Sequence, residues 1–185
     1  MKEIALYALD IAQNSITANA SRLELTLLET PEAITLTLAD NGKGMSPELL
    51  ARVSDPFTPP RTTRKMGMGL PLLRMAVEQT GGSLTIESTE GVGTTVTALF
   101  HPAHIDCPPV GDMGDTITLL IQGAPQLELR YTHTVDEACF QLTTEEIRAQ
   151  LGPELSLAES EIILWLKDYL QEQEMLLREH KGMKA

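Results

Sequence analysis

Leucine or isoleucine falls on every second position in two neighbouring stretches: Leu23, Leu25 and Leu27 within Arg22–Leu28, and Ile34, Leu36 and Leu38 within Ala33–Ala39. Side chains of a strand alternate between its faces, so this period of two buries one face of a sheet and leaves the other polar. A doubly wound parallel sheet is thereby disfavoured, because strands covered on both faces read as continuous apolar runs. The turn between the two stretches contains Pro31, and a second strand pair, Ser83–Ser88 and Thr94–Phe100, flanks a Glu90-Gly91-Val92-Gly93 turn.

Helices fill the rest of the first hundred residues. Glu3–Ala20 has an apolar side formed by Ile4, Leu6, Tyr7, Ile11, Ala12, Ser15, Ile16 and Ala18. Ser46-Pro47-Glu48 opens a short helix with proline at its first position, and Leu70–Gln79 reads as a helix ended by Gly81-Gly82. Ser54–Met68, with three prolines, is a loop. The order helix, two strands, short helix, loop, helix, two strands predicts an α+β, two-layer α/β sandwich with its helices on one face.

Charge divides the chain. Of 185 residues, 26 are acidic and 14 basic, a net of -12; residues 1–101 carry -3 and residues 102–185 carry -9. We therefore read residues 1–101 as one domain, 102–115 as a Pro- and Gly-containing connector, and 116–185 as an acidic extension of strands then helices. In that extension Thr116–Gln122 and Gln126–His133 read as strands of a hairpin, with Phe140–Leu142 as a third. Capping boxes at Thr143–Glu146 and Ser156–Glu159 open two helices, the second running to about His180. Its wide apolar stripe suits either core packing or a partner.

The acidity argues against nucleic acid and anionic membranes as partners, which attract basic surfaces. With only Cys107 and Cys139, neither a disulfide scaffold nor a metal cluster is expected, which suggests a reducing, cytoplasmic setting. No signal peptide and no membrane-spanning stretch is expected.

Four polar or glycine-rich spots stand on this scaffold. Asp10 and Asn14, four apart, share a helix face and offer oxygen ligands to a divalent cation. Asp40-Asn41-Gly42-Lys43-Gly44-Met45 follows a strand directly, where a carboxylate can accept a hydrogen bond from an exocyclic amine such as that of adenine. In Arg61-Thr62-Thr63-Arg64-Lys65-Met66-Gly67-Met68-Gly69-Leu70, cations and small hydroxyls run into a helix start, whose N–H groups and dipole favour an anion. There is no Gly-Lys-Ser/Thr, so this is not a Walker motif. Gly91-Val92-Gly93-Thr94-Thr95 is a turn between strands. Taken singly, each spot also has a purely structural explanation.

In this order the spots resemble the Bergerat, or GHKL, ATP-binding superfamily of sensor histidine kinases, gyrase B subunits, MutL-type proteins and ninety-kilodalton chaperones. The similarity is nearest to the histidine-kinase branch and covers about Ile4 to Phe100. The resemblance implies that Asn14 is the magnesium ligand of the asparagine box, Asp40 the adenine-recognising residue of the first glycine box (Asp40 to Gly44, with Gly42 between them), and Phe57 the anchor of an ATP lid. It places Gly67, Met68, Gly69 and Leu70 at the phosphates, beside Arg61, Thr62, Thr63, Arg64 and Lys65, and makes Thr94 a frame for adenine. ATP and Mg2+ are the implied cofactors.

The sequence also departs from the family pattern. Asp10 stands where gyrase-like members place a glutamate base, so it is the candidate base here. Thr17 stands where sensor kinases often carry a basic residue. A strand common before the first helix is missing, so the sheet either lacks it or is completed by residues 116–133. No helices bearing a phospho-accepting histidine are expected before the domain. The expectation is a stand-alone, magnesium-dependent ATP-binding module that regulates a protein partner through lid closure. A protein kinase acting on Ser, Thr or His of a partner, or a weak ATPase, stands as the alternative, and the oligomeric state is open.

Overall fold

The computed structural model describes residues 3–54, 69–152 and 155–182. Strands β1 (Arg22–Glu29) and β2 (Ile34–Asp40) pair antiparallel, as do β3 (Ser83–Thr89) and β4 (Gly93–Phe100). β2 also pairs antiparallel with β4, in a register that sets Asp40 opposite Thr94. On β1 every second side chain is buried, and Leu23, Leu25 and Leu27 are wholly so. The alternation therefore does what its period dictates: one face of the sheet meets the helices α1 (Ile4–Thr17) and α3 (Gly69–Gln79), and the other meets solvent. A short helix, α2 (Pro47–Ser54), follows β2.

The acidic half completes this sheet. After β4 the chain enters α4 (Met113–Gly123), then strands β5 (Glu128–Val135) and β6 (Ala138–Thr143), then α5 (Thr144–Leu151) and the long α6 (Ser160–Gly182). The sheet has six strands in the order β3-β4-β2-β1-β5-β6, and β5 lies parallel to β1. One contiguous core takes side chains from both halves, including Ile4, Leu36, Ile117, Tyr131, Leu166 and Leu170. The result is a mixed α/β domain with a central sheet, a C-terminal hairpin and helices, as the sequence predicts.

One expected strand is a helix. Residues 116–122 lie in α4, so the extension runs helix, strands, helices, and Met113 to Asp115 of the expected connector are already helical. The Thr-Ile-Thr run suggests a strand, but Met113, Ile117, Leu120 and Ile121 recur at helical spacing and are all buried. The Asp112 carboxylate caps the helix by accepting from the Asp115 N–H at 2.8 Å. Topology requires the same answer. β4 and β5 run parallel with two strands between them, and parallel strands need a crossover connection, usually a helix. The hairpin that completes the sheet is β5–β6, turning at Asp136, whose φ is 53°.

Candidate nucleotide site

Helix α1 brings Asp10 and Asn14 to one edge of the sheet, where β2 ends at Asp40. Ser15, next to Asn14, is buried and donates from Oγ to Asp40 Oδ2 at 2.6 Å. The Gly42 N–H donates to the other carboxylate oxygen at 2.8 Å. Asp40 is thus held from both sides with its position fixed, and hydrogen bonds to an ionised acceptor are the strong ones. Asn41 makes the turn itself: its Oδ1 accepts from the N–H groups of Ser21 and Arg22.

Thr94 faces Asp40 across β2 and β4, and its hydroxyl lies 2.8 Å from Ser88 Oγ. Ser88 Oγ also accepts from the Met45 N–H at 2.9 Å and donates to the Gly93 carbonyl at 3.0 Å. Ser88 therefore ties the first glycine turn to the last. Gly93 has φ 146°, and a Cβ there would overlap the Asp40 carbonyl, so only glycine lets the two turns close. Gly69, the first residue of α3, is approached by a side chain instead: a Cβ there would meet the Asp10 carboxylate, which would have to swing aside. Asp10 thus packs against the start of the helix whose N–H groups the sequence assigns to phosphate. Met45 and Leu70 are buried beside these turns.

Asn14 carries a buried side-chain nitrogen with no hydrogen-bond partner among the described residues. A buried polar atom left unmatched costs about 1–3 kcal/mol, so this amide fits a role toward a group from outside the chain. Among the described residues no three His, Cys, Asp or Glu side chains cluster as a metal site. Magnesium shared with phosphates asks the protein for only one or two oxygens, which Asn14 and Asp10 can supply.

Of the residues expected at the site, Asp10, Asn14, Asp40, Gly42, Gly44, Met45, Gly69, Leu70 and Thr94 are placed along this edge. Phe57, Arg61, Thr62, Thr63, Arg64, Lys65, Gly67 and Met68 lie outside the described residues. Ser15 and Ser88 are additions of the structure. Ser15 offered a signal, a hydroxyl inside the apolar side of a helix, which must find a partner when buried.

The family model described as histidine kinase-, DNA gyrase B- and HSP90-like ATPase matches residues 2–104. The chain belongs to this family, and it carries an ATP-binding domain of the Bergerat type. It is 25% identical over 176 residues to the sensor kinase CckA of Brucella abortus, covering 82% of this chain and 18% of that protein. It is 34% identical over 85 residues to the sensor histidine kinase ZraS of Escherichia coli, covering 45% of this chain and 17% of that one. The chain thus spans less than a fifth of the length of these relatives. Among solved structures, the Aquifex aeolicus MutL ATPase domain complexed with ADP matches at a TM-score of 0.48 and 13% identity, over 82% of this chain and 68% of that one. No helix among the described residues is long and apolar enough to cross a membrane.

Proposed function

We propose that the chain is a magnesium-dependent ATP-binding module that regulates a protein partner. The observation that carries this reading is the pairing of Asp40, fixed by Ser15 and Gly42, with Thr94 directly opposite across the sheet. A carboxylate held in that way accepts the exocyclic amine of adenine and repels the carbonyl that guanine presents at the same place. Asn14, with Asp10 one turn away, would hold magnesium, which when bound neutralises phosphate charge and orients the triphosphate. Asp10 also braces the start of α3, so that the first N–H groups of that helix keep their direction toward an anion. Arg61, Arg64 and Lys65 supply the charge that the phosphates need, and the segment around Phe57 closes over them and alters the surface offered to a partner. The acidic half, with a net charge of -9, offers that partner a charged surface, and the setting is the cytoplasm.

Magnesium should raise ATP affinity in the wild type, and Asn14→Ala should remove most of that gain; equal affinities with and without magnesium in both proteins would sink the metal role. The kinase alternative draws on the likeness to the sensor kinases CckA and ZraS. Terminally labelled ATP incubated with a candidate partner separates the readings. Label on protein marks a kinase, free labelled phosphate a weak ATPase, and intact ATP a binding module.

A further inference from the structure

Far from the nucleotide edge, His133 of β5 is fully buried between two carboxylates. Its Nδ1 lies 2.8 Å from Glu174 Oε2 on α6, and its Nε2 lies 3.0 Å from Glu29 Oε1 on β1. The Tyr131 hydroxyl donates to the other Glu174 oxygen at 2.6 Å. A neutral imidazole has one N–H and can satisfy only one of two flanking carboxylates, whereas an imidazolium satisfies both.

One turn beyond Glu174, Arg178 donates from Nη2 to the Gly111 carbonyl at 2.9 Å. The two carbonyls before it, of Pro109 and Val110, accept from the N–H groups of Ile4 and Ala5 at 2.9 and 2.8 Å. Helix α1 has no side-chain cap of its own, so this segment caps the helix that carries Asp10 and Asn14.

We propose that α6 is a proton-held clamp. His133, bonded at both ring nitrogens, locks α6 to the sheet through Glu174, and α6 in turn holds the 109–111 segment on the first turn of α1. The groups that face this cluster are Glu29 from β1, Tyr131 from β5, and Glu174 and Arg178 from α6. Glu3 and Asp112 join Glu29, Glu174 and Arg178 in lining an adjoining cleft of about 690 Å3, which gives protons a route to the buried ring.

Burial pushes the imidazole pKa down, but the hydrogen bonds and charges of Glu174 and Glu29 outweigh it and raise the value above the ordinary one. A raised folded-state pKa gives a contribution that is complete below the unfolded value of about 6.5 and lost as pH rises through the folded one. Alkaline conditions should therefore loosen α6 and, with it, the cap of α1. The effect on nucleotide rests on the function proposed above.

The test is amide hydrogen exchange on the full chain at about pH 6 and about pH 9, expressed as protection after correction for intrinsic rates. The clamp requires Ile4, Ala5 and residues 160–177 to lose protection together at the higher pH, by about tenfold or more and by more than β2 loses. It also requires His133→Gln to abolish that pH dependence. The proposal fails if protection of α6 and the α1 start is pH-independent, if it falls no further than that of β2, or if His133→Gln behaves as the wild type does. Should that variant not fold, nitrogen chemical shifts of the wild-type imidazole decide the matter. Both ring nitrogens protonated at neutral pH uphold the clamp, and either one bare overturns it. A parallel ADP titration separates the two readings, because no ADP binding at either pH would defeat the nucleotide function while the exchange data still judge the clamp.

Discussion

Ser15 donates to Asp40 from a buried position one residue past Asn14, so removing its hydroxyl changes the setting of the carboxylate proposed to receive adenine. Ser15→Ala should weaken ADP binding by roughly three- to tenfold while costing about 1 kcal/mol of stability, as read by calorimetry and urea denaturation. Equal affinity in the two proteins would mean that Asp40 needs no brace. Gly69 makes a sharper case. Gly69→Ala sets a methyl against the Asp10 carboxylate, which must swing aside, and should cost about 1 kcal/mol. Combining it with Asp10→Ala, which vacates that space, should recover part of the loss, and strict additivity of the two substitutions would show that they do not meet. Asp10, Asn14, Asp40 and Thr94 were all legible in the sequence because each stands beside a glycine turn or on a helix face in a fixed order. Ser15 signalled only that it needs a partner, and Ser88 not even that, since a hydroxyl in an apolar stripe or a strand carries no spacing that marks its partner.

At the scale of elements, the strands of the first hundred residues followed from period two alone, and their pairs form as expected at β1–β2 and β3–β4. The failure at 116–122 shows the limit of local reading. Three β-branched residues in a row outweighed a helical spacing that only becomes decisive once Met113 is counted. The parallel placement of β5 beside β1 was equally hidden, because it depends on a crossover and not on any residue near the pairing. α4 is held by its cap and by α6: Gly114 packs closely on Leu170, and Lys167 pairs with Asp115 at 2.8 Å. Asp112→Ala should therefore cost about 1 kcal/mol, whereas Leu166→Ala, emptying a fully buried position on α6, should cost about 2–5 kcal/mol. Denaturation midpoints measure both, and a Leu166 effect no larger than that of the cap would contradict the placement of α6 in the core.

The whole molecule joins a family ATP-binding domain to a C-terminal half that finishes its sheet and caps its first helix. The net charge of -12, which taken by itself disfavours a phosphate-bearing ligand, is concentrated in that second half and leaves the first near balance. The two halves share one core, so shortening the chain before α6 should destabilise the nucleotide domain and not merely remove an appendage. Whole-chain stability should also fall as pH rises through the raised value of His133, a loss that His133→Gln should flatten.

The most direct test of the nucleotide site is a calorimetric titration of ATP and GTP, with magnesium, into the wild type and into Asp40→Asn. With Asp40 as the adenine acceptor, ATP binds the wild type, GTP binds at least about tenfold more weakly, and Asp40→Asn loses about tenfold or more toward ATP, some 1.4 kcal/mol. Equal binding of ATP and GTP, or ATP binding untouched by Asp40→Asn, would contradict it.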